Sequence, residues 1–473
     1  MGLSRFVNRN LVIILICSLL MGVLVAYHQY LIYGLLLLFI FFLVLIKISY
    51  NYIYNLIVLL LPLMVYLHVG LTFNFSFSDL LLPIACLITL PIFIENKNAF
   101  TNKYSYLLFY LYLLTFALTI SFIKPMFFSI NEFELSTAIS NIMKIVINFV
   151  YLYIFLIYFM NYEKTSDKSY TFLKVWNFIS IIFSLLCIIG VILYYLGITT
   201  NLTFGFRATG TFEDPNLAAS FLIISLGFCL SYNNSPNSNK KRIPINLLLI
   251  LFALLLTSSR GGVLGLGVGF ILVVLINLTN KGIKQIAKIV VFLIVLITII
   301  LLINYIYPLD IVNTSLGRIS NISTEESGTN LRLLLWRTAL TLWQDNPFLG
   351  VGFGQYLHNA QEINSSIVNI PHNTYLSFLA ETGIIGFMSF FSLPIYLFYK
   401  LFIWVKKGEV TSIFLFVSLS GILVQAFTIN LENFRCLWIF YAFILYWVHE
   451  GVERASRREN SGNDKVDMVK AAL

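Results

Sequence analysis

Leu247-Leu248-Leu249-Ile250-Leu251-Phe252-Ala253-Leu254-Leu255-Leu256-Thr257-Ser258-Ser259-Arg260-Gly261-Gly262-Val263-Leu264-Gly265 is the stretch that decides the fold. One apolar run ends in three hydroxyl residues, an arginine and two glycines, and a second begins at once. The chain therefore turns near hydrocarbon with a charge at its tip, a costly placement that makes such a residue face a cavity or a partner. Gly261, Gly265 and Gly269 recur at four-residue spacing, which lets two helices approach closely; packing is the simpler reading of that stripe than a ligand cradle. No Gly-Lys-Ser/Thr follows, so the segment is not a P-loop.

Outward from this turn the pattern repeats. Apolar stretches fall at Leu11–Tyr27, Tyr30–Leu45, Tyr52–Val69, Leu80–Ile94, Tyr106–Phe122, Ala138–Met160 and Val175–Leu196. They continue at Leu217–Tyr232, Pro244–Leu256, Val263–Leu278, Ile289–Ile306, Tyr375–Tyr399, Ser412–Thr428 and Phe434–Val448. Each approaches the ~20 residues that cross a hydrocarbon layer of ~30 Å. The 473 residues are 59% hydrophobic and 11% charged, with a mean hydropathy of +0.88. Soluble chains carry about 25% charge, so the few polar residues here cannot cover the apolar ones. The fold class is all-α, a polytopic integral membrane protein of about 12–14 transmembrane helices. Residues 1–306 form the main bundle, 307–373 one long external loop, 374–450 the last helices, and 451–473 a disordered cytoplasmic tail.

The net charge of +9 is a topology signal. With a cytoplasmic N-terminus, Lys97, Lys103, Lys174, the Lys240-Lys241-Arg242 cluster, Lys281, Lys400, Lys406, Arg457 and their neighbours fall on one side. Lys124, Arg207, Arg260, Arg318, Arg332, Arg337 and Arg435 fall opposite. That is the positive-inside asymmetry with both termini cytoplasmic, and it leaves no role for nucleic acid. The cysteines Cys17, Cys86, Cys187, Cys229 and Cys436 are scattered without CxxC spacing, which fits small packing residues better than a disulfide framework or a zinc site.

Three segments place polar groups where spans meet the outer face. Arg207 through Asn216 precedes a span: Asp214 and Asn216 suit its cap, while Arg207 either holds an anion or snorkels to lipid phosphate. Arg260 sits at the turn already quoted. Pro371-His372-Asn373-Thr374-Tyr375 marks the return of the long loop to the membrane, and its histidine titrates near neutrality. Within that loop Leu331–Asp345 reads as a helix with Leu333, Trp336, Leu340 and Trp343 on one face, ended by Asn346-Pro347, and its two tryptophans suit a helix lying on the bilayer surface. Lys144, inside a span, either pairs with an acid, binds substrate or snorkels. Glu381, one to two turns past His372, either anchors a pocket wall or satisfies helix ends.

These segments together resemble the O-antigen ligase and O-antigen polymerase superfamily of bacterial envelope glycosyltransferases. The resemblance is carried by Arg207 through Asn216, by Ser259-Arg260-Gly261, and by Arg332 with Trp336. It continues in Asn346-Pro347-Phe348-Leu349-Gly350-Val351-Gly352-Phe353-Gly354, in His372-Asn373-Thr374-Tyr375-Leu376, and in Glu381-Thr382-Gly383-Ile384-Ile385-Gly386. It implies a GT-C-like, lipid-carrier glycosyltransferase fold in the bacterial cytoplasmic membrane, working without a metal or other cofactor. The implied donor is a glycan on undecaprenyl diphosphate and the acceptor a sugar hydroxyl on a glycan or lipid-glycan. The surrounding lipids, and a chain-length regulator or other polysaccharide assembly proteins, are further implied partners. On this resemblance Arg207, Arg260 and Arg332 hold the diphosphate and His372 deprotonates the acceptor, with Asp214, Asn216, Asn373, Tyr375 and Glu381 in support. His358 and Arg337, in the same loop, are alternatives to His372 and Arg332. Polymerase and ligase remain alternatives, and a flippase of lipid-linked glycans is the rival from another class.

Overall fold

A computed structural model describes residues 50–63, 76–128, 134–160, 165–235, 245–277 and 326–449. The spans expected at Leu11–Tyr27, Tyr30–Leu45 and Ile289–Ile306, the start of the long loop and the tail lie outside the described residues. Every other expected span coincides, in whole or in part, with a helix. In chain order these are α1 (Tyr50–Leu60), α2 (Leu82–Glu95), α3 (Lys97–Lys103), α4 (Ser105–Phe128), α5 (Leu135–Met160) and α6 (Thr165–Tyr195). A two-stranded hairpin, β1 (Thr203–Phe204) and β2 (Arg207–Ala208), leads to α7 (Pro215–Asn233), α8 (Ile245–Leu256) and α9 (Arg260–Asn277). After these come α10 (Glu326–Asp345), α11 (Tyr356–Ile363), α12 (Thr374–Lys406), α13 (Val410–Gln425) and α14 (Arg435–His449). Six described helices are long and apolar enough to cross a membrane, and the chain is an all-α, multi-pass membrane protein.

The centre of the bundle is α7, α13 and α14, whose side chains are nearly all buried. Three small-residue contacts bring α9 and α7 close against α13. A Cβ on Gly265 would overlap the Gly421 carbonyl, one on Gly269 would lie 2.6 Å from the Val417 carbonyl oxygen, and one on Gly227 would overlap the Ser418 hydroxyl. The four-residue glycine stripe of α9 is thus a seam against α13. Without a hydrophobic driving force between helices in lipid, backbone approach of this kind is what holds them together. The described cysteines Cys86, Cys187, Cys229 and Cys436 are free thiols.

One ion pair lies deep in this bundle. Arg435 and Asp79 are both 1% exposed, with Nη2 to Oδ2 at 2.9 Å. Asp79 also accepts from the Tyr151 hydroxyl at 2.8 Å and the Ser76 N–H at 2.8 Å. Arg435 Nη1 donates to the carbonyl and side-chain oxygens of Asn433, at 2.9 and 3.0 Å. A buried pair satisfied at both ends resists separation, because either partner alone would be an uncompensated charge. It fixes the 430–435 turn, which returns below as one wall of the site.

Candidate active site

The return of the chain into the bundle at α12 is pinned residue by residue. Asn373 caps the helix, its Oδ1 accepting from Tyr375 N at 3.0 Å and Leu376 N at 3.1 Å. Its own N–H donates to Asn430 Oδ1 at 3.1 Å. Thr374 donates its hydroxyl to the Ile429 carbonyl at 2.8 Å and accepts from Leu431 N at 3.0 Å. The Tyr375 hydroxyl reaches the Leu423 carbonyl at 2.7 Å, and its ring stacks on Phe391 at 4.7 Å. Asn373 and Tyr375 therefore fix backbone. On the other side Trp336 Nε1 donates to the Pro371 carbonyl at 3.0 Å, tying α10 to the same strand of chain.

His372 sits between these tethers with φ at +49°, a left-handed conformation uncommon for a residue with a side chain. Such a conformation persists only where the surroundings over-determine it, and it marks functional positions more often than others. The imidazole is half-buried. Burial pushes its pKa below the usual histidine range, the Asp214 carboxylate works against that, and the Arg332 guanidinium adds to it. His372 is thus neutral near pH 7, with an acid and an arginine close enough to act on it. His358, by contrast, lies on α11 with Nε2 3.6 Å from Glu362, one turn along the same helix. Arg332 is half-buried while Arg337 is exposed.

Asp214 is the N-cap of α7, accepting from Asn216 N at 2.6 Å. Asn216 then joins that helix end to the α8–α9 turn. Its Oδ1 accepts from Ser259 Oγ at 2.9 Å and from Arg207 Nη2 at 3.3 Å. Arg207 is buried, and its Nε donates to the Thr257 carbonyl at 3.0 Å. Gln425 Nε2 closes the knot on Ser259 Oγ at 3.1 Å and the Asn216 carbonyl at 3.3 Å. Arg260, the first residue of α9, is half-buried at the edge of this knot. The two arginines thus occupy different settings. Arg207 braces the turn from within, and Arg260 stands half-buried at its edge.

Segment 346–356 and α12 meet through backbone. Gly383 breaks α12 with φ 61° and ψ −166°. The carbonyls of Ala380 and Glu381, released by that break, accept from Val351 N and Gly352 N, both at 2.9 Å. The freed Ile384 N–H donates to the Pro347 carbonyl at 2.9 Å. A Cβ on Gly350 would overlap the Glu381 carbonyl, and one on Gly383 the Phe348 carbonyl. Lys124 braces the same join, donating to Asn346 Oδ1 at 2.5 Å and the Gly350 carbonyl at 2.7 Å. The side chain of Glu381 accepts from Gly354 N at 3.0 Å and Tyr356 N at 3.3 Å, so it anchors the start of α11. Helix α10 begins one turn earlier than its sequence suggests. It buries Leu335, Ala339 and Leu342 with Ala380 of α12, while Leu333 and Leu340 of the expected apolar face stay exposed.

Beside Pro371 opens a cavity of about 350 Å3 lined by Asn141, Lys144, Leu217, Glu381, Asn430 and Glu432, among others. Lys144 donates to Asn141 Oδ1 at 3.2 Å. The structure thus gathers His372 with Asp214 and Arg332, the Arg207–Asn216–Ser259 knot at the foot of α7 with Arg260 at its edge, and Lys144 with Glu381 in the cavity beside Pro371. The sequence reading missed Asn141, Gln425, Asn430, Glu432 and Asn433. The signal for the last three was present: Asn430-Leu431-Glu432-Asn433 is a polar break between two apolar runs on the same side as His372.

Residues 245–391 match the family model described as O-antigen ligase, a segment that runs from the start of α8 through the Gly383 break. No curated protein matches the chain.

Proposed function

We propose, on the premise that this chain is a member of the O-antigen ligase/polymerase superfamily, that it is a polysaccharide-assembly glycosyltransferase drawing on a glycan linked to undecaprenyl diphosphate. The observation that carries the reading is His372: neutral by burial, strained in backbone, under the charges of Asp214 and Arg332, and next in the chain to Pro371, which lines the cavity.

The chemistry runs as follows. The imidazole of His372 takes the proton of an acceptor sugar hydroxyl as that oxygen attacks the anomeric carbon from the face opposite the diphosphate. A glycosidic bond forms, the bond from that carbon to the diphosphate oxygen breaks with inversion, and undecaprenyl diphosphate leaves. The imidazolium then gives its proton to solvent. Charge develops on the leaving diphosphate, and guanidinium groups suit it because they offer several fixed donors. Arg260 and Arg332, both half-buried, take that role directly. Arg207 adds positive charge and holds the turn that carries Arg260. The reaction belongs on the external face of the bacterial cytoplasmic membrane, where the lipid-linked donor is displayed.

Purified protein in vesicles with undecaprenyl diphosphate-linked repeat units tests this. Lengthening ladders identify a polymerase, and transfer to a separate acceptor identifies a ligase. His372→Ala should cut the rate by roughly 10²–10⁴-fold, the usual worth of a general base, with yield and melting temperature unchanged. Wild-type protein that moves the lipid without forming a bond, or a His372→Ala variant with full turnover, refutes the reading.

A further inference from the structure

The cavity beside Pro371 has a composition that diphosphate binding does not account for. Its lining offers donors from Lys144 and the amides of Asn141 and Asn433. It offers acceptors from Glu381 and Glu432, a hydroxyl from Ser377, and the apolar surfaces of Leu217, Ile370 and Phe434. A diphosphate would meet two carboxylates here and be repelled. A sugar ring suits the set, since its hydroxyls both donate and accept and its C–H face is apolar. At about 350 Å3 the cavity lies at the lower end of the ~300–1,000 Å3 typical of small-molecule sites.

A second observation points to a ligand. Glu432 Oε1 accepts from Asn430 Nδ2 at 2.9 Å. Its Oε2 is buried and has no hydrogen-bond partner among the described residues. A buried, unmet carboxylate oxygen is costly, and a group that supplies its donor is correspondingly favoured. The wall that holds it is rigid. Asn148 Nδ2 donates to the Glu432 carbonyl and to Asn433 Oδ1, both at 3.2 Å, and Arg435 clamps Asn433 from below. Such a preorganised group binds without the cost of ordering it.

We propose that this cavity is the acceptor subsite: it holds a sugar ring of the acceptor glycan, with Glu432 Oε2 accepting one ring hydroxyl and Lys144 donating to another. The proposal rests on the glycosyltransferase reading for the name of the ligand and adds where and through what groups the acceptor is recognised. The ring enters past Pro371, so that the next hydroxyl along the glycan reaches His372.

The test is binding, measured apart from turnover. The probe is the free repeat-unit oligosaccharide, released from the cell's own lipid-linked donor by mild acid and dephosphorylated. It is titrated by saturation-transfer NMR into the full chain in nanodiscs. Glu432→Gln should weaken its binding about tenfold or more, in keeping with loss of a hydrogen bond to a charged group. Ile370→Trp, at an exposed rim position, should weaken it by filling the cavity without touching the 430–435 wall. Glu362→Gln should change nothing. Binding of undecaprenyl diphosphate without its glycan should be unaffected by all three. Unaltered oligosaccharide affinity in both Glu432→Gln and Ile370→Trp overturns the proposal, as does a loss confined to the lipid-linked donor, which would make this the donor's sugar pocket. Glu432-dependent binding of the oligosaccharide by a protein that transfers nothing would leave the subsite standing and remove the transferase. Transfer with an unchanged acceptor KM in Glu432→Gln would do the reverse.

Discussion

Arg435 and Arg260 are both arginines that the sequence places at the outer ends of apolar runs, yet the structure treats them in opposite ways. Arg435 is 1% exposed, and Asp79 and Asn433 hold it from two sides. Arg260 is half-buried at the head of α9, next to a turn that Arg207, Asn216, Ser259 and Gln425 hold in shape. The lesson is that an arginine near hydrocarbon is not by itself a site. What separates the two is burial: the Arg435 side chain is sealed inside the bundle, while Arg260 keeps part of its surface open. Asp79 answers Arg435. At the other place the local hydrogen bonds support the turn, and the arginine sits at its edge.

The contrast breaks most visibly through substitution. Arg435→Met should leave Asp79 buried and unpaired, costing about 3–5 kcal/mol. The expected outcome is loss of monodisperse protein, or a sharply lowered melting temperature in detergent. A stable, active Arg435→Met protein would mean that the pair is ornamental. Arg260→Lys should do the opposite, keeping the melting temperature within a degree or two of wild type. Turnover should fall by roughly 10²–10³-fold, because a lysine carries the charge without the fixed fork of donors. Full activity in that variant would turn Arg260 into a surface anchor and erase the distinction.

The same contrast explains how far the sequence could be read. Apolar runs and the positive-inside bias are properties of single segments, so the helices and the membrane class were legible. The glycine seam of α9 was legible too, because its spacing carries the reason. His372, Arg260 and Glu381 were singled out through order along the chain. Their partners were not, since Asn216 to Ser259 and Gln425 to Asn216 join segments far apart in sequence. Asp79 shows the limit most clearly. It stands alone at the start of a span, and only the fold reveals that Arg435 lies against it. Glu432 was passed over because a carboxylate in a short loop reads as solvated. Its orphaned oxygen exists only once Asn430, Asn148 and Arg435 have shaped the wall around it. The Gly350 and Gly383 motifs were recognised as patterns, but their cause, two backbones in contact at a helix break, is a tertiary fact.

The smallest effect sharpens the comparison furthest, because it tests whether the groups around His372 act on it by charge. Burial holds the imidazole's pKa below the usual histidine range of about 6.5. A base must be neutral to act, so activity should persist as pH falls through 6.5 and decline only below it. Asp214 raises that pKa and Arg332 lowers it. Asp214→Asn removes the negative charge and keeps an oxygen for the α7 cap, so it should move the acid limb of kcat/KM to lower pH. Arg332→Met removes the positive charge and should move the limb to higher pH, on top of any fall in the plateau rate. Opposite displacements from two residues on different helices would tie both charges to one titrating group. Identical limbs in all three proteins would mean that the group controlling the reaction is not His372, and the clustering at Pro371 would then be a matter of folding alone.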